Sequence, residues 1–237
     1  MVALSIITVC LNAGNSIEQT AASISQQTDR DFEWIVIDGG STDGTVEFLQ
    51  GLTGIDRCIS EQDAGIYDAM NKGIGFSRGS YCLFVNAGDS LYDQYVIENM
   101  KKELTAELVI GSLHTCFPED PGKNYIKRFD TQDIREKYLY YRSLPHPATC
   151  IKRDLFERFG LFDTTFRIVG DHDFFARVLL KGASKVFAPF CISTFIMDGV
   201  STRLKRSTQF KEEMQRMRSK NFSPLYRLRR TVIDRIF

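Results

Sequence analysis

The sequence contains few of the residues that form metal cages or disulfide frameworks. It has three histidines, none paired at metal-ligand spacing, and its six cysteines lie far apart without a Cys-x-x-Cys pair. Cysteines spaced this way pack as small hydrophobic residues, so a reducing cytoplasm is the expected compartment. No apolar stretch approaches the roughly 20 residues that cross a bilayer, and we expect no membrane span. The apolar residues 2–11 have no basic residue before them, and we interpret them as a buried strand, not a secretion signal.

The chain also lacks net charge, because 30 basic residues balance 30 acidic ones. Overall charge therefore predicts no nucleic-acid partner. The distribution is uneven, however, since residues 201–237 contain 11 basic and 3 acidic side chains. This local excess of positive charge favours an anionic neighbour for the C-terminal tail.

Short apolar runs alternate with amphipathic runs over residues 1–105, a pattern typical of parallel strands joined by helices. The predicted strands are Leu4–Val9, Trp34–Ile37, Arg57–Ser60 and Tyr81–Val85. The predicted helices are Ser16–Gln26, Thr45–Leu52, Tyr67–Ser77 and Tyr95–Glu103. We therefore expect an α/β fold, with a doubly wound, mainly parallel sheet sandwiched by helices.

The pattern loosens from Leu108 to Ser143, which predicts a substrate-facing insertion with a helix over Thr131–Tyr141. The later predicted elements are strands Ala148–Lys152, Lys185–Phe187 and Thr194–Met197, and helices Asp154–Phe159, Asp171–Leu180, Ser207–Lys220 and Ser223–Phe237. The last helix spaces four apolar residues at helical intervals among arginines, which suits an anionic membrane surface. An ordinary basic helix docked on the domain explains the same pattern.

Polar side chains follow three of the predicted strands, at Asn12, Asp38 and Asp89. Open α/β sheets bind ligands at the carboxyl ends of their strands, where loops and helix N-termini present backbone N–H groups. A carboxylate at Asp38 could accept hydrogen bonds from a base or a ribose, whereas turn and helix-cap chemistry accounts for the same residues. The Gly-x-Gly-x-x-Gly fingerprint of dinucleotide-binding proteins is absent.

Several motifs, taken in order, resemble the family 2 glycosyltransferases with the GT-A fold. They are Ser5–Val9 with Asn12, Asp38–Thr45, Glu61–Gly73, Gly79–Tyr81, Asn86–Asp89, His146–Ala148 and Gly170–Phe174. Most of these motifs are similar to the exopolysaccharide branch, which includes enzymes of the colanic-acid type. The resemblance implies a GT-A domain over residues 1–200, with a nucleotide-sugar-binding half (1–105) and an acceptor half (106–200). A basic amphipathic helical tail (201–237) follows.

The resemblance implies transfer of a sugar from a nucleotide-diphosphate sugar to a saccharide acceptor. The expected displacement depends on a metal and inverts the anomeric centre. UDP is the expected nucleotide, with GDP as the other candidate. A lipid-linked acceptor in bacterial surface polysaccharide synthesis fits a cytoplasmic protein that is held at the inner face of the plasma membrane by its tail.

The motif Asn86–Asp89 lies where the family carries its Asp-x-Asp metal motif, and here Asn86 and Gly88 replace carboxylates. Asp89 remains as the one obvious anionic ligand for Mg²⁺ or Mn²⁺, with donor diphosphate oxygens and water completing the coordination. Such an ion would offset charge on the departing nucleotide diphosphate. The resemblance further assigns donor binding to Thr8, Val9, Asp38, Ser41, Asp63, Asn71, Lys72, Asn86 and Ala87.

Asp171 and Asp173 lie in the first turn of a predicted helix, where capping and the helix dipole alone favour acidic residues. The resemblance instead makes Asp171 the general base that takes the proton of the acceptor hydroxyl, with Asp173 structural. His146, between two prolines in a stiff loop, is either a structural group or a catalytic side chain near the diphosphate or the acceptor. The segment Met197–Ser201 resembles a late part of the family that closes over the site.

Two other functions remain open on these residues. A nucleotidyltransferase shares the layout and the metal, but it needs a basic phosphate loop near residue 10, and Cys10–Gly14 has no basic residue. A catalytically silent nucleotide-sugar-binding or scaffold subunit fits the eroded metal motif. The retained Asp89 and Asp171 favour the enzyme.

Overall fold

The computed structural model describes residues 2–129, 134–197 and 207–236, with side chains up to residue 233. The strands are β1 (Leu4–Cys10), β2 (Glu33–Asp38), β3 (Arg57–Ser60), β4 (Tyr81–Phe84), β5 (Ser90–Leu91), β6 (Leu108–Cys116), β7 (Tyr125–Lys127), β8 (Thr149–Lys152) and β9 (Lys185–Ile196). The helices are α1 (Ser16–Ser25), α2 (Thr45–Gln50), α3 (Ile66–Phe76), α4 (Val96–Glu103), α5 (Glu136–Tyr141), α6 (Asp154–Phe159), α7 (Gly170–Leu180), α8 (Thr208–Asn221) and α9 (Pro224–Ile236).

The strands form one sheet in the order β3-β2-β1-β4-β8-β6-β9-β5, and β7 pairs with the C-terminal part of β6. The first four strands are parallel, and so are β6 and β9. β8 runs antiparallel between β4 and β6. Most paired residues lie in parallel ladders, so the α/β prediction is confirmed. The carboxyl ends of β2, β1 and β4 lie side by side, which brings the loops after them to one edge of the sheet.

Helices cover both faces of this sheet, because the strands bury side chains alternately on each side. In β1, Ile7 and Val9 join one core, while Leu4 and Ile6 join the other. α3, α6 and α7 pack on the first core, and α1, α2 and α4 on the second. Each fully buried large apolar side chain contributes roughly 1.5–3 kcal/mol. The two cores therefore give the edge loops a rigid support.

The sequence predicts an insertion from Leu108 onward, but the stretch begins with the strand β6. Gly111 interrupts the apolar run of that strand, and close packing explains it, since a Cβ there would lie 2.4 Å from Ile192 Cγ1. β9 is likewise one strand where the sequence predicts two. Its register with β6 shifts opposite Gly111, where the exposed Pro189 lies. Glycine and proline thus mark an irregular strand pair and not a loop.

The segments predicted over Thr131–Tyr141 and Met197–Ser201 lie partly outside the described residues, and the last residue of the predicted helix Ser223–Phe237 does too. The helix predicted over Thr131–Tyr141 begins at Glu136, and residues 130–133 are not among those described. The segment Met197–Ser201 leaves the described part of the chain after Met197. Its predicted closure over the site stays a prediction.

The helix α8 packs against the domain. Met214 and Met217 are buried in the first core. Lys220 Nζ donates to Asp163 Oδ2 at 2.8 Å and to Asp173 Oδ2 at 3.0 Å. This first helix of the tail therefore packs on the domain.

The helix α9 has one apolar face in solvent. Its Leu225, Leu228 and Val232 side chains are 77%, 64% and 50% exposed. Tyr226, on another face, stacks on Phe222 at 5.6 Å between ring centroids. Within the described residues, no helix combines the length and the apolar composition that a bilayer crossing needs.

Candidate active site

The turn after β4 carries the first part of the site. Asp89 N–H donates to Asn86 O at 2.8 Å, and Gly88 takes a φ of 95°, a left-handed value that favours glycine. Thr20 of α1 stabilises this turn through two hydrogen bonds. Its hydroxyl donates to Asp89 O at 2.6 Å and accepts from Gly88 N–H at 3.1 Å. The backbone is thus held by its neighbours, and the Asn86 and Asp89 side chains are left for other partners.

The Asp89 carboxylate is buried with few groups to stabilise its charge. Among the described residues no side chain donates a hydrogen bond to it, and its charged neighbour is His146 Nε2 at 3.9 Å. Burial raises the pKa of Asp89 to about 7, and His146 and the Asn86 backbone offset this only in part. A desolvated carboxylate in this state gains strongly from a bound cation.

Asn86 contributes a second oxygen to the same turn. Its Nδ2 lies 3.2 Å from His146 Nε2, and its buried Oδ1 has no hydrogen-bond partner in the described part of the chain. A neutral His146 with a lone pair on Nε2 accepts this amide proton. An orphaned buried carbonyl costs about 1–3 kcal/mol unless a ligand satisfies it.

These two oxygen groups fit a hard divalent cation, which prefers carboxylate and amide oxygens. Within the described ranges, no group of three His, Cys, Asp or Glu side chains could hold a metal ion. Asp89 and Asn86 Oδ1 would thus leave most positions around such an ion to other ligands. The residues present fit an ion that binds together with a nucleotide.

His146 lies between two carboxylates. Its Nε2 is 3.9 Å from Asp89 Oδ2, and its Nδ1 is 3.8 Å from Asp171 Oδ2. Burial lowers the pKa of the imidazole, but the two carboxylates outweigh it, and the net shift is upward. The flanking Pro145 and Pro147 hold His146 in a short 3₁₀ turn. The imidazole therefore links the proposed metal side of the site to Asp171.

Asp171, in the first turn of α7, is held by two hydroxyl groups. Its Oδ2 accepts from Ser143 Oγ at 3.2 Å. Tyr67 OH shares its single proton between Asp171 Oδ1 at 3.3 Å and Ile168 O at 2.9 Å. Burial opposes ionisation, yet the nearby His146 and His172 lower the pKa of Asp171 below its usual value. The side chain is 18% exposed. It is thus ionised at neutral pH and accessible, as a general base requires.

The docked helix α8 supports the loop before Asp171. The buried Glu213 carboxylate accepts the backbone N–H groups of Arg167, Ile168 and Val169 at 3.1, 2.9 and 3.2 Å. This loop leads directly into α7. A helix from the predicted tail therefore helps to position the candidate base.

Asp173 has the structural place that the sequence predicts. It is fully buried, and Asn221 Nδ2 and Lys220 Nζ donate to it at 2.8 and 3.0 Å. Both partners lie at the end of α8. Asp173 therefore anchors that helix on α7.

Asp38, at the end of β2, is fully buried but rich in donors. Its Oδ2 accepts from Gly40 N–H at 3.0 Å, Ser41 N–H at 2.9 Å and Ser60 Oγ at 2.7 Å, and its Oδ1 accepts from the Ser41 hydroxyl. Burial alone would raise the pKa of Asp38, but these hydrogen bonds lower it. Ser41 Oγ also accepts Asn12 N–H at 2.7 Å. Asp38 and Ser41 thus shape the loops after β1 and β2.

Two predicted donor-binding residues have structural roles. Thr8 is fully buried, and its hydroxyl accepts from Trp34 Nε1 at 3.0 Å. Both amide atoms of Asn71 bind the Phe162 backbone, at 2.9 and 3.0 Å. Both side chains thus have partners within the fold, and their assignment to donor binding stays a prediction.

The other predicted donor-binding residues lie at the loop edge. Asp63 lies against Gly39, where a Cβ would meet Asp63 Oδ2 at 2.5 Å. Lys72 Nζ pairs with Glu61 at 2.8 Å, a hydrogen bond that raises the pKa of the lysine. Val9 O accepts Ala87 N–H at 3.1 Å, which joins the ends of β1 and β4.

Four supporting residues escape the sequence analysis: Thr20, Tyr67, Ser143 and Glu213. The sequence could have indicated Thr20, because it is a polar residue on the apolar stripe of α1. Ser143 and Glu213 carried none, since they contact Asp171 or its loop only through the tertiary fold.

Residues 5–163 match the family model described as Glycosyl transferase family 2. A PGL/p-HBAD biosynthesis glycosyltransferase of Mycobacterium tuberculosis is 31% identical over 180 residues, covering 72% of this chain and 67% of the relative. An uncharacterized glycosyltransferase of the same species is 30% identical over 181 residues, covering 75% and 69%. The chain belongs to glycosyl transferase family 2.

Solved structures of low sequence identity share the fold. The S. aureus TarS fragment 1–349 in complex with UDP-GlcNAc has a TM-score of 0.68 at 14% identity, over 85% of this chain. The mannosyltransferase PcManGT from Pyrobaculum calidifontis, in complex with GDP-Man and Mn²⁺, has a TM-score of 0.67 at 18% identity, over 90% of this chain. The fold is therefore of the GT-A type. This chain spans 60% and 64% of those two chains.

Proposed function

We propose that this chain transfers a sugar from a nucleotide-diphosphate sugar to a saccharide acceptor, inverting the anomeric centre. The observation that carries the proposal is the series Asp89, His146 and Asp171, in which each carboxylate lies within 4.0 Å of the imidazole. One carboxylate has no side-chain donor among the described residues and suits a cation, while the other is ionised and suits a base. UDP is the first candidate nucleotide, because a structural neighbour binds UDP-GlcNAc, and GDP is the second.

In this reaction Asp171 accepts the proton of the acceptor hydroxyl as the oxygen attacks the anomeric carbon. The bond from that carbon to the nucleoside diphosphate breaks in the same displacement, so no covalent nucleophile is needed. Tyr67 and Ser143 orient the carboxylate through their hydroxyl groups. A divalent ion held by Asp89 and Asn86 Oδ1 would stabilise negative charge on the leaving diphosphate. In the neutral form that accepts the Asn86 amide proton, His146 adds a polarisable group between the metal side and Asp171.

The rest of the donor lies, in this proposal, over the loops after β1, β2 and β4. Asp38 and Ser41 shape the loop that contacts the base or ribose. Asp63, Lys72, Val9 and Ala87 line the same edge. Parallel strands are about 4.8 Å apart, so the ends of β2 and β4 are about 10 Å apart across β1. That span suits a nucleoside at one loop and its diphosphate at the other.

The test is a thermal-shift panel of UDP- and GDP-sugars with and without Mn²⁺, followed by assays of nucleoside diphosphate release. A membrane lipid extract supplies the acceptor. We expect Asp171→Asn to lower turnover about 10²–10⁴-fold and to leave donor-induced stabilisation intact. Asp120→Asn, on an exposed loop, is the matched control. Stabilisation by a nucleotide-sugar without turnover in the unaltered protein would instead indicate a silent binding subunit, and no stabilisation by any donor would end the proposal.

We further propose that the exposed apolar face of α9 contacts an anionic membrane surface, which would place the protein at the cytoplasmic leaflet during surface polysaccharide synthesis. Leu225, Leu228 and Val232 would enter the interface beside the arginines of the same helix. We expect serine at all three positions to abolish sedimentation with vesicles of phosphatidylglycerol and phosphatidylcholine. Equal sedimentation of both proteins at low and high salt would contradict this role.

A further inference from the structure

The strands β5, β6 and β9, at one end of the sheet, have one buried and one partly exposed face beyond the bulge at Gly111. Leu91, Leu113 and Ser193 lie on the buried face, with exposures of 4%, 8% and 0%. Side chains alternate between the two faces of a strand, so the residue next to each of them lies on the other face. That face is open to solvent in part.

The pairing registers place five residues of the open face in one row across the sheet. Ser90 pairs with Thr194, and Thr194 pairs with His114. Ile126 of β7 extends the row as the partner of His114. Tyr92 follows Ser90 on the same face, and its ring meets the imidazole of His114 edge-to-face at 5.7 Å between centroids. We call these five residues the β5–β7 row.

The β5–β7 row combines apolar surface with hydrogen-bonding groups. Tyr92 and Ile126 are each 42% exposed. His114 Nδ1 lies 3.2 Å from Thr194 Oγ1, which leaves Nε2 of the imidazole for a ligand.

This combination fits a neutral sugar. The C–H bonds of a sugar ring pack against the negative face of an aromatic ring, and its hydroxyl groups exchange hydrogen bonds with polar side chains. The row contains no lysine, arginine, aspartate or glutamate, so it offers little to a charged ligand. An apolar patch that is exposed beside polar groups is typical of a binding surface.

The β5–β7 row begins at the candidate active site. Asp89 directly precedes Ser90, and the short turn that holds His146 packs against β6 and β9. Neighbouring strands are about 4.8 Å apart, so His114, two strands away from Ser90, lies about 10 Å from it. That distance is about the length of two sugar residues.

We propose that the β5–β7 row binds the acceptor at a sugar residue that does not react, which packs on the ring of Tyr92. The reacting sugar residue of the same acceptor lies at Asp171. The acceptor is then an oligosaccharide of two or more sugar residues and not a single sugar. This inference rests on the proposed sugar transfer, to which it adds a binding site and the length of the acceptor.

The test measures kcat and KM for transfer to the membrane lipid extract, with the donor that the thermal-shift panel identifies. The inhibitors are the free mono-, di- and trisaccharides that acid hydrolysis releases from this extract, separated by size. The variants are Tyr92→Ala and Tyr92→Phe. The matched control is Tyr125→Ala, because Tyr125 is 50% exposed and pairs with Thr115, on the other face of the same strands.

We expect Tyr92→Ala to raise the KM for the extract about 10-fold, because the ring contributes binding energy away from the reacting atoms. Its kcat and its KM for the donor should change little. Tyr92→Phe and Tyr125→Ala should behave like the unaltered protein. Equal melting temperatures show that all the variants are folded.

The inhibitors test the length of the acceptor. In the unaltered protein the di- and trisaccharides should inhibit at lower concentrations than the monosaccharides do. Tyr92→Ala should lose this preference, and Tyr125→Ala should keep it.

Three results would overturn the inference while leaving sugar transfer intact. One is an unchanged KM of Tyr92→Ala for the extract. Another is a rise in its KM for the donor instead, which would place the donor sugar on the row. The third is equal inhibition by saccharides of every length. If the unaltered protein released no nucleoside diphosphate from any donor, the proposed function itself would be contradicted.

Discussion

Asp38 and Asp89 both follow a buried parallel strand of the same sheet, and both are almost fully inaccessible to solvent. Asp38 accepts hydrogen bonds from two serine hydroxyls and two backbone N–H groups of its own loops, and these lower its pKa. Asp89 receives none from a side chain among the described residues, and burial raises its pKa to about 7.

The difference separates two uses of a buried carboxylate. Where the chain supplies the donors, the carboxylate holds loops in place and belongs to the fold. Where the described residues supply no side-chain donor, the buried carboxylate destabilises the fold until a cation binds. Such a carboxylate is typical of a ligand site. Glu213 and Asp173 fall in the first class with Asp38, and Asn86 Oδ1 falls in the second with Asp89.

The largest expected effect is on catalysis. We expect Asp89→Asn to lower turnover on the order of 10²–10³-fold, because it removes the charge that holds the ion opposite the leaving diphosphate. Steady-state release of nucleoside diphosphate measures this change. If Asp89→Asn and the surface control Asp120→Asn turned over at the same rate, Asp89 would have no such role.

Folding stability should depend more on Asp38 than on Asp89. We expect Asp38→Asn to destabilise the fold by about 2–3 kcal/mol, since it breaks several charge-assisted hydrogen bonds. Asp89→Asn should change stability by less than about 0.5 kcal/mol, or increase it, in protein freed of metal by EDTA at pH 8. Urea unfolding measures both. Equal losses at the two positions would remove the distinction between them.

Glu213→Gln extends the comparison to a carboxylate that acts through a loop. The loss of charge weakens its hold on three backbone N–H groups before Asp171. We expect a fall in kcat of about 10-fold from misplacement of the base, with donor affinity unchanged. Glu212→Gln, an exposed neighbour on α8, is the control. A change in donor affinity instead of kcat would contradict a positioning role.

The smallest effect concerns acid stability. Burial alone would raise the pKa of Asp163, but hydrogen bonds from Lys220 and Thr165 bring it down to about 2. Because this value lies below the usual one, the Asp163–Lys220 pair stabilises the fold above about pH 4 and loses that contribution as the pH falls toward 2. Lys220 Nζ also donates to the buried Asp173, so we expect Lys220→Met to cost about 1–2 kcal/mol at pH 7, of which the partly exposed Asp163 pair is one part. The difference in unfolding free energy between Lys220→Met and the control Lys211→Met should become smaller in acid. A difference that stays constant with pH would assign the loss to packing.

The sequence predicted the parts of the fold that rest on local pattern. The first four strands, and the polar residues at their ends, follow from apolar runs and turn chemistry. β6 could not be predicted in this way, because the glycine that interrupts it is required by the distant Ile192.

In the candidate site, too, local motifs predict some residues, and contacts between distant segments decide the others. Asp89, His146 and Asp171 were predicted from motifs, and the structure places both carboxylates within 4.0 Å of the imidazole. The contacts of Thr8 with Trp34 and of Asn71 with Phe162 could not be predicted, because these partners come from elsewhere in the fold. Ser143 and Glu213 were missed for the same reason, since contacts between distant segments leave no local pattern.

The most direct test of the central claim is the affinity for UDP, measured by titration calorimetry with and without Mn²⁺, in the unaltered protein and in Asp89→Asn. If Asp89 is the ligand site that the fold leaves unsatisfied, Mn²⁺ tightens UDP binding about 10-fold or more in the unaltered protein and has little effect in the variant. The same Mn²⁺-dependent gain in both proteins would contradict the account.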